Sequence, residues 1–186
     1  DGNLRGDISV DLSAATVRIQ EATISEPSLN LSGQYTLDRN SGLMTVELAA
    51  KSIDVPPLRR SALAIGGDIP LIKTIFSYVQ GGQVQSFTLH TDGKSPDELG
   101  RTEKIRISGK VTEGTIFVET KDLTFHDVNG DALITGGILQ ADKIAASLGT
   151  QRCSGGTLRV GLKGYDAPFH LETGVRVDLS QLPSLL

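Results

Sequence analysis

The sequence predicts a mainly β fold, in which repeated and mostly antiparallel hairpin modules form a curved sheet or groove, with one amphipathic helix near residues 69–80. Three observations lead to this prediction. Apolar and polar residues alternate through most segments, as in strands with one buried face. Short connections carry many of the 21 glycines, and short connections favour antiparallel pairing because parallel strands need long crossovers. One pattern also occurs twice.

The repeated pattern reads LNLSGQYTLDRNSGLMTVELAAKSIDV at residues 29–55 and IRISGKVTEGTIFVETKDLTFHDV at residues 105–128. Gly33 of the first segment aligns with Gly109 of the second, and after a shorter second hairpin Val55 aligns with Val128. A repeat of this kind predicts related β modules. We therefore expect one β-rich domain over residues 1–186, built of two related halves at about 1–92 and 101–186, within a fragment of a longer protein.

In the first half, alternation predicts strands at residues 7–12, 17–19, 29–37 and 43–53. The turn-forming cluster at 38–42 makes residues 29–53 a hairpin, and Pro56-Pro57 is expected to end the pairing. The helix follows, with Asp68 as N-cap, Pro70 in the first turn and Gly81-Gly82 after its last turn. Its apolar stripe is expected to pack on the sheet or plug one end of it.

After the helix, residues 83–91 predict a strand, and the polar connection 92–100 between the halves contains one helical turn at residues 96–99. A tight turn is expected at residues 112–114 and an Asn-Gly turn within residues 127–131. Cys153 is interpreted as a small residue before a turn at residues 154–156. The remaining strands are predicted at residues 115–119, 122–126, 131–139, 158–164 and 168–179.

Composition argues against several functions. A net charge of -4 and the absence of Trp leave neither a basic surface for phosphates nor a stacking platform for bases, so no nucleic acid is expected as a partner. The single cysteine excludes a cysteine-based zinc cluster, and the three histidines, His90, His126 and His170, lie far apart in sequence. Residues 127–131 do not follow the calcium-loop template. We therefore expect no enzyme, no cofactor and no metal.

The segments LSGQYTLDRNSG, AAKSIDVPPLR, GDIPLIKTIFSYVQGGQV, ISGKVTEGTIFV, DVNGDALITGGIL and LKGYDAPFHL together resemble the C-terminal region of bacterial AsmA-like proteins. The resemblance covers nearly the whole chain. It implies a protein of the Gram-negative envelope that lies in the periplasm and is anchored in the inner membrane by an N-terminal segment missing from this sequence. It also implies a similarity to bridge-like lipid-transfer proteins, whose β modules form an apolar groove, and a role in moving phospholipid for outer-membrane biogenesis and maintenance.

The first functional hypothesis is therefore a non-enzymatic module that binds or conducts phospholipid acyl chains along an apolar β groove. The second is a structural or scaffolding module of the cell envelope that pairs with adjacent repeats of the parent chain or with a partner. An enzyme acting through His126 or His170 is the third and weakest. The same apolar residues fit a closed, dry core equally well. The candidate groove residues are Leu29, Leu31, Tyr35, Met44, Val46, Leu48, Ile105, Ile107, Ile116 and Val118.

Overall fold

The described part of the chain forms one open, curved, ten-stranded antiparallel sheet in which every strand pairs with its neighbours in sequence. A computed structural model describes residues 2–25, 29–118, 122–161 and 169–176. The predicted mainly β, antiparallel fold is confirmed. The strands are β1 (Gly2–Val10), β2 (Ala14–Ile24), β3 (Leu29–Asp38), β4 (Met44–Asp54), β5 (Val79–Gly93), β6 (Arg106–Val118), β7 (Leu123–Thr135), β8 (Ile138–Leu148), β9 (Gln151–Gly161) and β10 (Phe169–Arg176).

Three helices interrupt the strand order around β5: α1 (Val55–Gly66), α2 (Pro70–Tyr78) and α3 (Pro96–Leu99). The sequence predicts α2 and the single turn of α3, and both are present. The N-cap of α2 is Ile69 and not Asp68, and Gly81-Gly82 lie within β5, because the helix already ends at Tyr78. It does not predict α1, because Pro56-Pro57 indicates only the end of strand pairing. Those prolines lie in the first turn of α1, where their missing N–H groups have no intrahelical partner to lose.

Helices α1 and α2 lie at one end of the central strands. Both contact β5 and each other, while α1 also contacts β4 and α2 contacts β6. The Nε of Arg59 donates a hydrogen bond of 3.0 Å to the carbonyl oxygen of Phe76, which ties the two helices together. Val55 at the start of α1 is only 2% exposed. The predicted plug at one end of the sheet therefore consists of a helical pair, not of one helix.

The segment around α3 covers the opposite end of the same strands. The hydroxyl of Thr91 on β5 donates a hydrogen bond of 2.8 Å to the carbonyl oxygen of Leu99, and Thr91 is 5% exposed. A Cβ on Gly93 would lie 2.7 Å from the Cβ of Glu98, so this segment lies against the backbone of β5. The amide of Glu98 donates to the hydroxyl of Ser95, which caps the short helix.

Three turns predicted from glycine and polar residues are wrong, because the strands continue through them. Glu113 lies within β6 at φ 53°, Asp127 within β7 at φ 51°, and Gly155 within β9 at φ 67°. The pairing register shifts near each of them, which identifies β-bulges. A bulge bends its strand and increases the local twist, so these positions curve the sheet instead of reversing the chain. The predicted strand 131–139 is likewise divided, since β7 ends at Thr135 and β8 begins at Ile138.

The turn between β3 and β4 is present where the sequence predicts it. The carboxylate of Asp38 accepts hydrogen bonds from the amides of Asn40 and Ser41 at 2.8 and 3.0 Å, and Gly42 adopts φ +68°. Donation from the Ser41 amide, then from Asn40, lowers the pKa of Asp38 below its usual value. Asp11 makes the corresponding turn between β1 and β2, where hydrogen bonding by the Ser13 hydroxyl chiefly lowers its pKa.

Candidate functional site

One face of the sheet is apolar along its length. Residues directly opposite each other in antiparallel strands point to the same face, so the pairing register defines rows of side chains across the sheet. The first apolar row, from β2 to β9, consists of Ile19, Gly33, Leu48, Leu89, Ile107, Ile134, Leu139 and Val160. The second apolar row, from β1 to β9, consists of Leu4, Ala22, Leu31, Ala50, Phe87, Gly109, Ala132, Ala141 and Leu158.

These two rows contain no polar side chain. Within each strand their members are two residues apart, apart from the bulge between Ile19 and Ala22 on β2, so the rows are adjacent on one surface. We call this surface the apolar face. Tyr35 and Val46 extend it toward the α3 end, where Val46 is opposite Thr91.

The opposite face carries charged and hydroxyl side chains, and we call it the polar face. Arg18, Gln34, Glu47, His90 and Arg106 form one row across β2 to β6. The guanidinium of Arg18 donates to the side-chain oxygen of Gln34 at 3.0 and 3.1 Å, and His90 Nδ1 lies 3.5 Å from Glu47 Oε1. These exposed pairs contribute little to stability, but they keep this face hydrated.

Covering of the apolar face is incomplete. Among the described residues, the buried hydrophobic ones are Ala22, Ala50, Ile53, Val55, Ile105, Ile134 and Ala146. Such a short set does not make the interior of two packed layers. Among the described strand residues, the large apolar side chains with the highest exposure are Leu4 at 70% and Ile8 at 74%, both on β1.

The candidate groove residues divide into three groups. Leu29, Leu31, Tyr35, Met44, Val46, Leu48 and Ile107 lie at apolar-face positions of β3, β4 and β6. Ile116 and Val118 lie beyond the Glu113 bulge, where they are opposite Phe125 and Leu123 on β7. Ile105 precedes β6 and is 8% exposed, so it packs within the protein and offers little surface to a ligand.

The residues predicted from sequence omit most of the two apolar rows, of which they include only Leu31, Leu48 and Ile107. Phe87 and Leu89 lie at the centre of the apolar face on β5, and Ile134, Leu139 and Leu158 continue it toward β10. The signal is present in the sequence, because Phe87 and Leu89 alternate with polar neighbours in a segment predicted as a strand. The predicted residues come from the repeated segments alone, and β5, β8 and β9 lie outside them.

Two depressions of the described sheet are lined mainly by polar-face residues. A shallow cleft of about 560 Å³ spans β2 to β6 and is lined by side chains that include Arg18, Glu47, His90 and Arg106. A smaller one of about 230 Å³ is lined by residues that include Asn30, Ser32 and Lys51. Of the ten candidate groove residues only Leu48 lines either of them. Neither depression therefore follows the candidate groove residues.

The titratable groups do not gather in one place. His90 and His126 are exposed side chains on β5 and β7, and His170 is exposed on β10. In the described part of the chain, no group of three or more histidine, cysteine, aspartate or glutamate side chains is arranged to hold a metal ion. A hydrogen bond of 3.0 Å to Asp131 raises the pKa of Lys143. The two side chains form an exposed pair between β7 and β8. None of the helices described is long and apolar enough to cross a membrane.

Comparison with known proteins identifies no relative. No protein-family model matches the chain. Neither a curated protein nor a solved structure is significantly similar to it. The resemblance to AsmA-like proteins therefore stays a prediction from sequence, and the function rests on the two faces of the sheet.

Proposed function

We propose that the chain is a non-enzymatic lipid-binding module that holds phospholipid acyl chains on the apolar face. The observation that carries this proposal is the pair of apolar rows, which run without a polar interruption from β2 to β9. A sheet face of this kind needs a cover, and the helices cover it mainly around β4 to β6. Lipid acyl chains are a cover of matching chemistry.

The dimensions of the rows suit an acyl chain that lies across the strands. Adjacent strands are about 4.8 Å apart, so the rows, which span eight and nine strands, are about 34 and 38 Å long, and both exceed the length of one extended acyl chain. Each methylene group removed from water contributes about 0.8 kcal/mol, so a bound chain gains several kcal/mol even after ordering costs.

A dry core is the competing explanation of the same residues. It requires a second layer over the apolar face, and α1, α2 and α3 make their main contacts with the strands β4 to β6. The exposure of Leu4 and Ile8 favours a face that is open to a ligand.

The cellular setting belongs to the same proposal. An AsmA-like protein anchored in the inner membrane would place this module in the periplasm, where bound phospholipid moves toward the outer membrane. Adjacent repeats of a longer parent chain would extend the apolar face beyond this module. The bound acyl chain is the part that can be tested on the chain itself.

The absence of tryptophan makes a direct test available, because an introduced tryptophan reports only its own surroundings. Phe87→Trp places the indole at the centre of the apolar face, and Thr88→Trp places it on the polar face one residue away. Thr88 is exposed, and its substitution removes one hydrogen bond, to Ser108. With a doxyl-labelled fatty acid or phospholipid, we expect strong quenching of Phe87→Trp and little quenching of Thr88→Trp.

Equal quenching of the two variants would contradict binding on the apolar face. No quenching of Phe87→Trp, together with no phospholipid recovered by mass spectrometry from the purified chain, would favour the dry core. A short-chain diacyl phospholipid serves as competitor, since it should restore the fluorescence of Phe87→Trp in proportion to its occupancy.

A further inference from the structure

The outer edge of β1 carries a self-complementary sequence. All nine residues of β1 are exposed, and the strand pairs with β2 on one side only within the described sheet. It contains no proline, which is a common means of blocking an edge, and at the register shift beside Arg5 and Gly6 the extra residue, Gln20, belongs to β2. Leu4, Ile8 and Val10 are 70%, 74% and 60% exposed. An edge of this kind is a template for another strand.

The order of residues in β1 indicates what that strand is. Charged residues of opposite sign, Arg5 and Asp7, flank Gly6, and the apolar residues Leu4 and Ile8 flank these in turn. In an antiparallel pair of identical strands centred on Gly6, Arg5 of each copy is opposite Asp7 of the other. Leu4 is likewise opposite Ile8, and all nine residues of the strand have a partner.

Neighbouring registers lack this complementarity. A pair centred on Arg5 or on Asp7 places like charges directly opposite each other, which is unfavourable. The Gly6-centred register also agrees with the faces of the sheet. Leu4 and Ile8 belong to the apolar side, whereas Asp7 is on the polar side, where its carboxylate accepts a hydrogen bond of 3.0 Å from Gln20.

We propose that two copies of this chain pair through their β1 edges in the antiparallel register centred on Gly6. A two-fold axis perpendicular to the sheet relates the copies, so the contact is the same patch on both. This axis leaves the apolar faces on the same side, and the two ten-stranded sheets form one continuous surface. The inference goes beyond lipid binding and does not require it.

A charge-swap series in the purified chain tests the register. Arg5→Asp opposes aspartates across the edge, Asp7→Arg opposes arginines, and the double variant restores opposite charges with their order reversed. By sedimentation velocity at concentrations up to about 100 µM, we expect each single variant to raise the dimer Kd about tenfold, and the double variant to recover most of this loss. Gly6 itself is a poor site for substitution, because a Cβ there would lie 2.5 Å from the carbonyl oxygen of Arg18.

Arg106→Asp is the matched control, since Arg106 is exposed on β6 in the middle of the sheet. It reverses one charge without touching the edge and should leave the dimer Kd unchanged. A chain that stays monomeric at every concentration overturns the proposal. A dimer that ignores the single swaps, or that the double variant fails to restore, also overturns it, and indicates contact through β10 or through the apolar faces. Circular dichroism confirms that each variant is folded.

Discussion

The two segments that carry the repeated pattern, residues 29–55 and 105–128, fold differently despite their similar sequences. The first forms β3, a turn and β4, and then enters α1 at Val55. The second forms β6 and the first part of β7. The turn cluster at 38–42 of the first segment reverses the chain, whereas residues 112–114 of the second form a bulge within one long strand.

The difference shows that turn chemistry and bulge chemistry are alike. Both need a residue in the left-handed region, and glycine, asparagine and aspartate satisfy this need at the least cost. Gly42 adopts the left-handed conformation next to Asp38, whose carboxylate accepts hydrogen bonds from the amides of Asn40 and Ser41. Together they close a hairpin. At Glu113 the chain continues along the same two neighbouring strands. Local sequence reports the backbone conformation, and the partners decide whether it becomes a turn.

The largest difference between the segments should appear at their aligned glycines. A Cβ on Gly33 would lie 2.7 Å from the carbonyl oxygen of Glu47 and 2.6 Å from Leu48, so the backbone of β4 must move. At Gly109 the nearest atom would be the carbonyl oxygen of Ser86 at 3.3 Å. We expect Gly33→Ala to destabilise the chain by about 3 kcal/mol and Gly109→Ala by less than about 1 kcal/mol, measured by urea unfolding.

Gly109→Ala is the matched control, because both substitutions add one methyl group to an interior strand position of the same motif. Equal losses of stability would mean that the glycines are needed for a property common to both segments, such as strand twist. In that case the close approach of β3 to β4 would not be the cause.

Strand content and pairing direction can be predicted from the sequence, but the points where strands end, bulge or give way to a helix can be predicted only in part. Alternation at residues 29–37 and 83–91 identifies β3 and β5, since period two has one physical reading in a half-buried sheet. The bulges at Glu113, Asp127 and Gly155 cannot be distinguished from turns, because the pairing that separates them is long-range. Helix α1 is not predicted because proline is common both at the ends of strands and in the first turn of helices, so Pro56-Pro57 fits either.

The candidate site is likewise predicted only in part from the sequence. Alternation shows which side chains of a strand share a face, so Leu31 and Tyr35 on β3 and Met44 and Leu48 on β4 are placed together correctly. It does not show the register between β4, β5 and β6, and it is this register that aligns Leu48, Leu89 and Ile107 in one row. The local pattern also does not predict that Ile105, just before β6, is buried.

The next difference lies at the aligned valines. Val55 begins α1 and is 2% exposed, whereas Val128 lies in β7 opposite Gly114 and is only partly buried. Truncation removes the same two methyl groups in both variants, but only the Val55 site is closed on all sides. We expect Val55→Ala to lower the free energy of unfolding by about 2 kcal/mol and Val128→Ala by less than about 1 kcal/mol. Urea unfolding of the two variants measures both changes. A larger loss at Val128 would indicate that the bulge, and not the helical plug, is the better packed part.

The smallest expected changes in stability are those of substitutions at Gly42 in the turn and at Glu113 in the bulge, and we expect them to have opposite signs. Glu113 adopts φ 53° without being glycine, a conformation that costs an ordinary residue about 1 kcal/mol, so Glu113→Gly should leave the chain as stable or raise its stability by up to this amount. Gly42 has φ +68° and open space where a Cβ would lie, so Gly42→Ala should lose about 1 kcal/mol through backbone strain alone. Thermal unfolding of the two variants measures both changes. A clear loss of stability in Glu113→Gly would mean that the Glu113 side chain, exposed as it is, stabilises the bulge by more than its backbone strain costs.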